Sequence, residues 1–296
     1  MCGIAFVINY DTKNTIDLDM VKSMFASMKR RGTEASGMYI ERQVGSTTKR
    51  VLFKSPIESD KLWTITQVET NHPELQEIKL TGHERLIMLH TRTGTTGSER
   101  DNNNNMPIYS KNYVLIHNGV LYADRDEAYP YLGEVDSEAI LAVTESTGLK
   151  KAITSIRGSM AIAIKKIGDP FLFIYRRSNP LYLLYFKDMN ILFGCSCSDY
   201  VPHVFNATLR MGDVLFRSGC SILEVPEYEL FKLSLARKSI EHEGHLELDA
   251  TAAKSYSYSR DIRADKIDKN LTLAEVRAIN AEATRLLGAH HDARTD

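Results

Sequence analysis

Between Ser159 and Glu227 six apolar, strand-length runs follow one another with mostly short connections: SMAIAIKK, FLFIYRR, LYLLYFKD, ILFGCSC, DVLFRSG and SILEVPE. Parallel neighbours need a crossover of a dozen residues or more, so this spacing predicts antiparallel sheets. Among these strands, the clear helical periodicity falls in two clusters. In IDLDMVKSMFASMKRRG, Leu18, Val21, Phe25 and Met28 share a face and a glycine follows the basic last turn. DSEAILAVTESTG, with Asp136 as its candidate N-cap, runs into a second helix, LKKAITSIRG. Helices grouped this way among antiparallel strands predict layers, with helices over the outer faces of packed sheets.

Earlier in the chain, GIAFVI reads as a buried strand, and GMYIERQ and KRVLFKS as a strand pair around a Gly-Ser-Thr turn. RLIMLHTR and YVLIHNGVL read as strands that end in polar motifs, and ESDKLWTITQVETN as weakly helical. With 296 residues and 43% apolar content the chain can bury a large core. The reading is one domain over 1–232, a charged, Ser/Tyr-rich linker over 233–270, and a terminal helix and tail over 271–296.

The balance of 37 basic and 38 acidic residues offers no attraction for nucleic acid or an anionic membrane. No apolar run is long enough to span a bilayer, and no secretory leader opens the chain. Of Cys2, Cys195, Cys197 and Cys220, the C-x-C pair has no second pair and no nearby histidine, so no metal site is expected. Free thiols fit a reducing cytoplasm. No Walker-type phosphate loop is present, and no cofactor is implied.

MCGIAFVI leads directly from Cys2 into an apolar strand, where a chain start is usually a polar tail. With Met1 removed, Cys2 would own both a thiol, with pKa ~8.5 when free, and an α-amine titrating at about 7.7–8.0. One residue would then be nucleophile and general base. Asn118 and Gly119 in IHNGVL fit a pair of oxyanion donors, or an Asn-Gly hairpin turn. Arg92 in HTRTGTTGS fits a bidentate carboxylate clamp, or a surface arginine beside a turn. Asp136 suits a substrate ammonium or a helix cap, and Arg31-Gly32 a helix C-cap leading into an active-site loop.

Together the stretches MCGI, RRGTEASG, HTRTGTTG, IHNG, VDSEAI, GSMAIAI, RSNPLYLLY and LFGCSCSD resemble the class II glutamine amidotransferases, in family order over roughly residues 2–225. The likeness is greatest to the glutaminase domain of glucosamine-6-phosphate synthase. It implies an α+β, four-layer αββα sandwich of two antiparallel sheets, of the Ntn-hydrolase type. It implies that Cys2 attacks glutamine to form a thioester and release ammonia, with Asn118 and Gly119 as the oxyanion hole. Arg92 would bind the substrate carboxylate and Asp136 its ammonium, with Thr95 beside them and Arg31 bracing the loop. Thr93, Thr96 and Met106-Pro107 depart from the family pattern around the glutamine lid.

The stretch beyond the resemblance is shorter than an ordinary domain and carries no ATP-pyrophosphatase or phosphoribosyl-binding motif. A separate synthase subunit is therefore expected as partner, and the terminal helical stripe from Leu271 either docks it or folds back on the domain. The alternatives are an N-terminal-nucleophile amidase acting on another amide, and a non-catalytic relative that binds a partner.

Overall fold

The structure is a computed structural model and describes residues 2–13, 15–68, 78–125, 128–197 and 220–249. Two antiparallel sheets make up its centre. The first has seven strands in the order β11 (Cys220–Glu224), β9 (Tyr182–Phe186), β10 (Ile191–Cys195), β1 (Gly3–Asn9), β4 (Glu84–Arg92), β2 (Ala35–Val44), β3 (Thr47–Ser55). The second has six, in the order β13 (Ile240–His245), β12 (Glu229–Ser234), β8 (Phe171–Arg177), β7 (Arg157–Lys166), β6 (Tyr113–Tyr122), β5 (Ile108–Tyr109).

Strand β1 is buried along its whole length, which is why its sequence runs apolar without alternation. Its side chains still alternate in direction. Ala5 and Val7 pack with Val21, Met24 and Phe25 of helix α1 (Leu18–Met28) and with Leu62 of α2 (Ser59–Trp63). Ile4, Phe6 and Ile8 face the other way and meet Ile116, Ala161 and Ile174 of the second sheet. On the far side of that sheet, Leu115, Ile162 and Ile164 pack with Ile140 of α3 (Glu138–Thr147) and Ile153 of α4 (Leu149–Ser155). Three apolar layers thus separate helices, sheet, sheet and helices, an αββα sandwich. No helix among the described residues is long and apolar enough to cross a membrane.

Helix α1 starts at Asp17, whose carboxylate accepts the Asp19 N–H, and buries Val21, Phe25 and Met28 as the spacing predicts. Leu18 is only partly buried, and Met24 takes a place on the inner face. The β2–β3 hairpin turns at Gly45 as expected. The weakly helical stretch is the short α2 followed by a π-helical turn over Thr64–Val68.

Three expectations are corrected. The stretch read as a polar linker from 233 supplies β13, which pairs with β12 and places Ile240 in the core between the sheets. Asp249 is also tied to the domain: its N–H reaches the Thr154 carbonyl at 2.8 Å and its carboxylate meets Lys151. Asn118-Gly119 makes no hairpin turn and lies inside β6, paired to β7 from Tyr113 to Tyr122. Asp136 does not cap α3: the N-cap is Ser137, whose side chain makes no capping bond, and the Asp136 carboxylate goes elsewhere. DVLFRSG and the stretch 271–296 lie outside the described residues.

Candidate active site

Cys2 immediately precedes β1, whose register pairs Gly3 with Thr91 and so sets Cys2 beside Arg92 at the end of β4. Its Sγ donates to the Thr93 carbonyl at 3.6 Å. Arg31, just past α1, donates from Nε to the Cys2 carbonyl at 2.9 Å, while the Thr93 hydroxyl donates to the Arg31 carbonyl at 2.7 Å. Gly32 makes this crossing possible: a Cβ there would lie 2.3 Å from the Arg92 carbonyl carbon.

Parity along the strands aims the main groups. Ile4 and Phe6 of β1, Leu86 and Met88 of β4, and Val114 and Ile116 of β6 all lie in the core between the sheets. Two-residue steps continue these rows to Cys2, to His90 and Arg92, and to Asn118. Gly119 then brings β6 backbone to the cleft, where a Cβ would stand 2.0 Å from the Ser159 carbonyl oxygen. Cys2, Arg92, Thr95, Gly119 and Asp136 line one small cleft. Arg31 stands behind it, on the Cys2 backbone.

Asn118 is buried, and its Nδ2 has no hydrogen-bond partner among the described residues. Its carbonyl accepts from Asn179 Nδ2 at 2.9 Å, which pins the residue from the RSNPL loop. The buried Arg92 guanidinium donates to Asn105 Oδ1 at 3.1 Å and to the Thr96 and Gly97 carbonyls at 2.6 Å each. The fork expected to face a ligand therefore holds its own loop. Asp136 accepts the Leu121 N–H at 2.6 Å and the Ser137 hydroxyl at 3.2 Å, so it ties β6 to the start of α3.

Burial pushes the Cys2 thiol up, the neighbouring Arg92 cation opposes this, and the Asp136 carboxylate adds to the rise. The resting group is a protonated thiol that needs a base. Two histidines of the cleft escaped the sequence reading, His90 and His117. Each stands two positions before a residue already singled out, Arg92 or Gly119, and the period-2 rule was the signal that could have found them. His90 Nε2 meets the His117 carbonyl at 3.1 Å, and His117 Nδ1 meets the Ser137 hydroxyl at 2.7 Å. Burial depresses both, His90 to about 3, so both rings are neutral.

No protein-family model matches the chain. The solved structure of glutamine phosphoribosylpyrophosphate amidotransferase from B. subtilis aligns with a TM-score of 0.54 and 15% identity, covering 82% of this chain and 49% of that one. The fold is that of a class II glutamine amidotransferase domain. Curated proteins with similarity to this chain include 7-cyano-7-deazaguanine synthase of Sulfolobus acidocaldarius, 24% identical over 227 residues, which are 70% of this chain and 45% of that protein. Glutamine–fructose-6-phosphate aminotransferase of Helicobacter pylori is 26% identical over 221 residues, 69% of this chain and 34% of that protein. The chain spans under half the length of either.

Proposed function

We propose that this amidotransferase-type domain hydrolyses glutamine to glutamate and supplies the ammonia to a separate synthase. The observation that carries the reading is the buried Asn118 Nδ2, an amide donor without an acceptor, on the strand that brings Gly119 to the cleft of Cys2. With Met1 removed, the Cys2 α-amine takes the thiol proton and the thiolate attacks the carboxamide carbon. Asn118 Nδ2 and the Gly119 N–H receive the oxyanion, in a setting where such donors act strongly. Collapse breaks the C–N bond, and the amine returns the proton to the departing ammonia. Water, activated by the same amine, then cleaves the thioester. Arg92 takes the substrate carboxylate, Asp136 its ammonium, and Thr95 lies beside them. Arg31 holds the Cys2 backbone in place through its carbonyl.

The Sulfolobus acidocaldarius relative is named for a cyano product, and a nitrile-forming synthase is one class of acceptor that would consume ammonia.

The test is glutamine turnover by protein whose Met1 loss is verified by intact mass. Turnover is expected in the Met1-free form and absent from Cys2→Ala. Full activity with Met1 retained, or none without it, defeats the proposal. A second reading, an amidase on another amide, is favoured by the engagement of Arg92 with Thr96 and Gly97. Equal use of glutamine and an analogue lacking the α-carboxylate would select it.

A further inference from the structure

We propose that His90 reads the amide nitrogen of the substrate, so that the site takes a carboxamide and rejects the matching carboxylate. The inference rests on the glutaminase reading above. In the β1–β4 register His90 stands opposite Ile4, one diagonal step from Cys2 and on the same face. Diagonal neighbours lie roughly 7–8 Å apart at Cα, within reach of side chains bound to one ligand. His90 lines the cleft with Cys2 and is 1% exposed.

The ring has one possible tautomer. Its Nε2 meets the His117 carbonyl, which only accepts, so Nε2 carries the hydrogen. The ring is neutral, so Nδ1 presents a lone pair and nothing else. That Nδ1 is buried and has no partner among the described residues. Asn118 Nδ2 is the complementary case, a buried group that only donates and also lacks a partner. Both belong to the rows that the two sheets turn toward each other. His117 offers a buried Nε2 as well, but it lies on the opposite face of β6 from Asn118. Its Nδ1 meets a hydroxyl, which can donate or accept, so its tautomer is not locked.

A fixed donor and a fixed acceptor match a carboxamide, whose oxygen accepts and whose NH2 donates. A carboxylate has two acceptors, so one oxygen would face the His90 lone pair with no proton between them. Leaving buried polar groups unpaired is a strong means of rejection. The same mismatch arises when hydrolysis turns glutamine into glutamate, and it favours release of the product.

The experiment uses the full chain carrying Cys2→Ala, which binds without turnover, and measures dissociation constants of glutamine and glutamate by calorimetry. The expected preference for glutamine is about tenfold or more. His90→Gln keeps an N–H toward the His117 carbonyl but offers no acceptor at the Nδ1 position; its preference should fall toward one. His90→Asn keeps an oxygen near that position and should retain most of the preference. A purely structural role for His90 gives the reverse order and overturns the proposal, as does an unchanged ratio in His90→Gln. A parent that binds both ligands equally overturns it without any His90 variant. A parent that binds neither ends the glutaminase reading itself.

Discussion

Asn118 and Arg92 meet their expected ligands from opposite conditions. Asn118 Nδ2 is buried and has no partner among the described residues, so a developing oxyanion would satisfy a donor already removed from water. Asn118→Ala should lower glutamine turnover by ~10²–10³ with little change in KM. Turnover within a few-fold of wild type would rule out its oxyanion role. Arg92 is already bonded to Asn105 and to two carbonyls of the 96–97 turn, so a ligand carboxylate must share or replace those acceptors. Lysine cannot reproduce the planar fork, whichever acceptors it serves. Arg92→Lys should raise KM for glutamine by about tenfold or more, while kcat at saturation changes less. An unchanged KM would remove Arg92 from substrate binding.

At the scale of elements, β6 shows why the Asn-Gly signal misleads. An Asn-Gly pair favours a type I′ turn in isolation. Here β7 pairs with β6 on both sides of it, and the Gly119 backbone is pressed against Ser159 instead of turning. Strand β13 is the opposite case, a polar sequence recruited into a sheet. IEHEGH has a single apolar side chain at its start, and that residue, Ile240, is 7% exposed in the core between the sheets. Its polar remainder suits an edge strand, where one side faces water. Ile240→Ala should cost about 2–4 kcal/mol in chemical denaturation. A loss below about 0.5 kcal/mol, the range of exposed positions, would return this stretch to the status of a linker.

For the whole molecule, the buried imidazoles set an acid limit. His90 sits near 3 in the folded chain and close to 6.5 when unfolded, so above about pH 7 it is neutral in both states and has no effect. As pH falls through 6.5 the unfolded chain takes a proton that the folded chain refuses, and stability is lost progressively toward pH 3. At pH 5 the loss from His90 is about 2 kcal/mol. Burial lowers His117 in the same direction, so the two add. Denaturation midpoints followed from pH 7.5 to 5 should fall steadily, and His90→Asn should remove about one proton from that slope. A slope that His90→Asn leaves untouched would mean that His90 is protonated within the fold.

Local pattern was enough for the antiparallel strands, the face of α1 and the order of the motifs, because period-2 and period-3.6 burial are written into neighbouring residues. It was also enough to single out Cys2, Arg92, Gly119 and Asp136, to which the family resemblance adds Thr95, and all five line one cleft. What the chain's neighbours along the sequence cannot specify is pairing across distance. The β1–β4 register puts His90 one diagonal from Cys2, and the packing of one sheet on the other sets Asn118 on the inner face of β6. The same tertiary pairing draws Asp136 away from its helix to Leu121 and carries a charged stretch into β13. Those outcomes depend on which buried groups find partners once the layers close, and local periodicity does not name those partners.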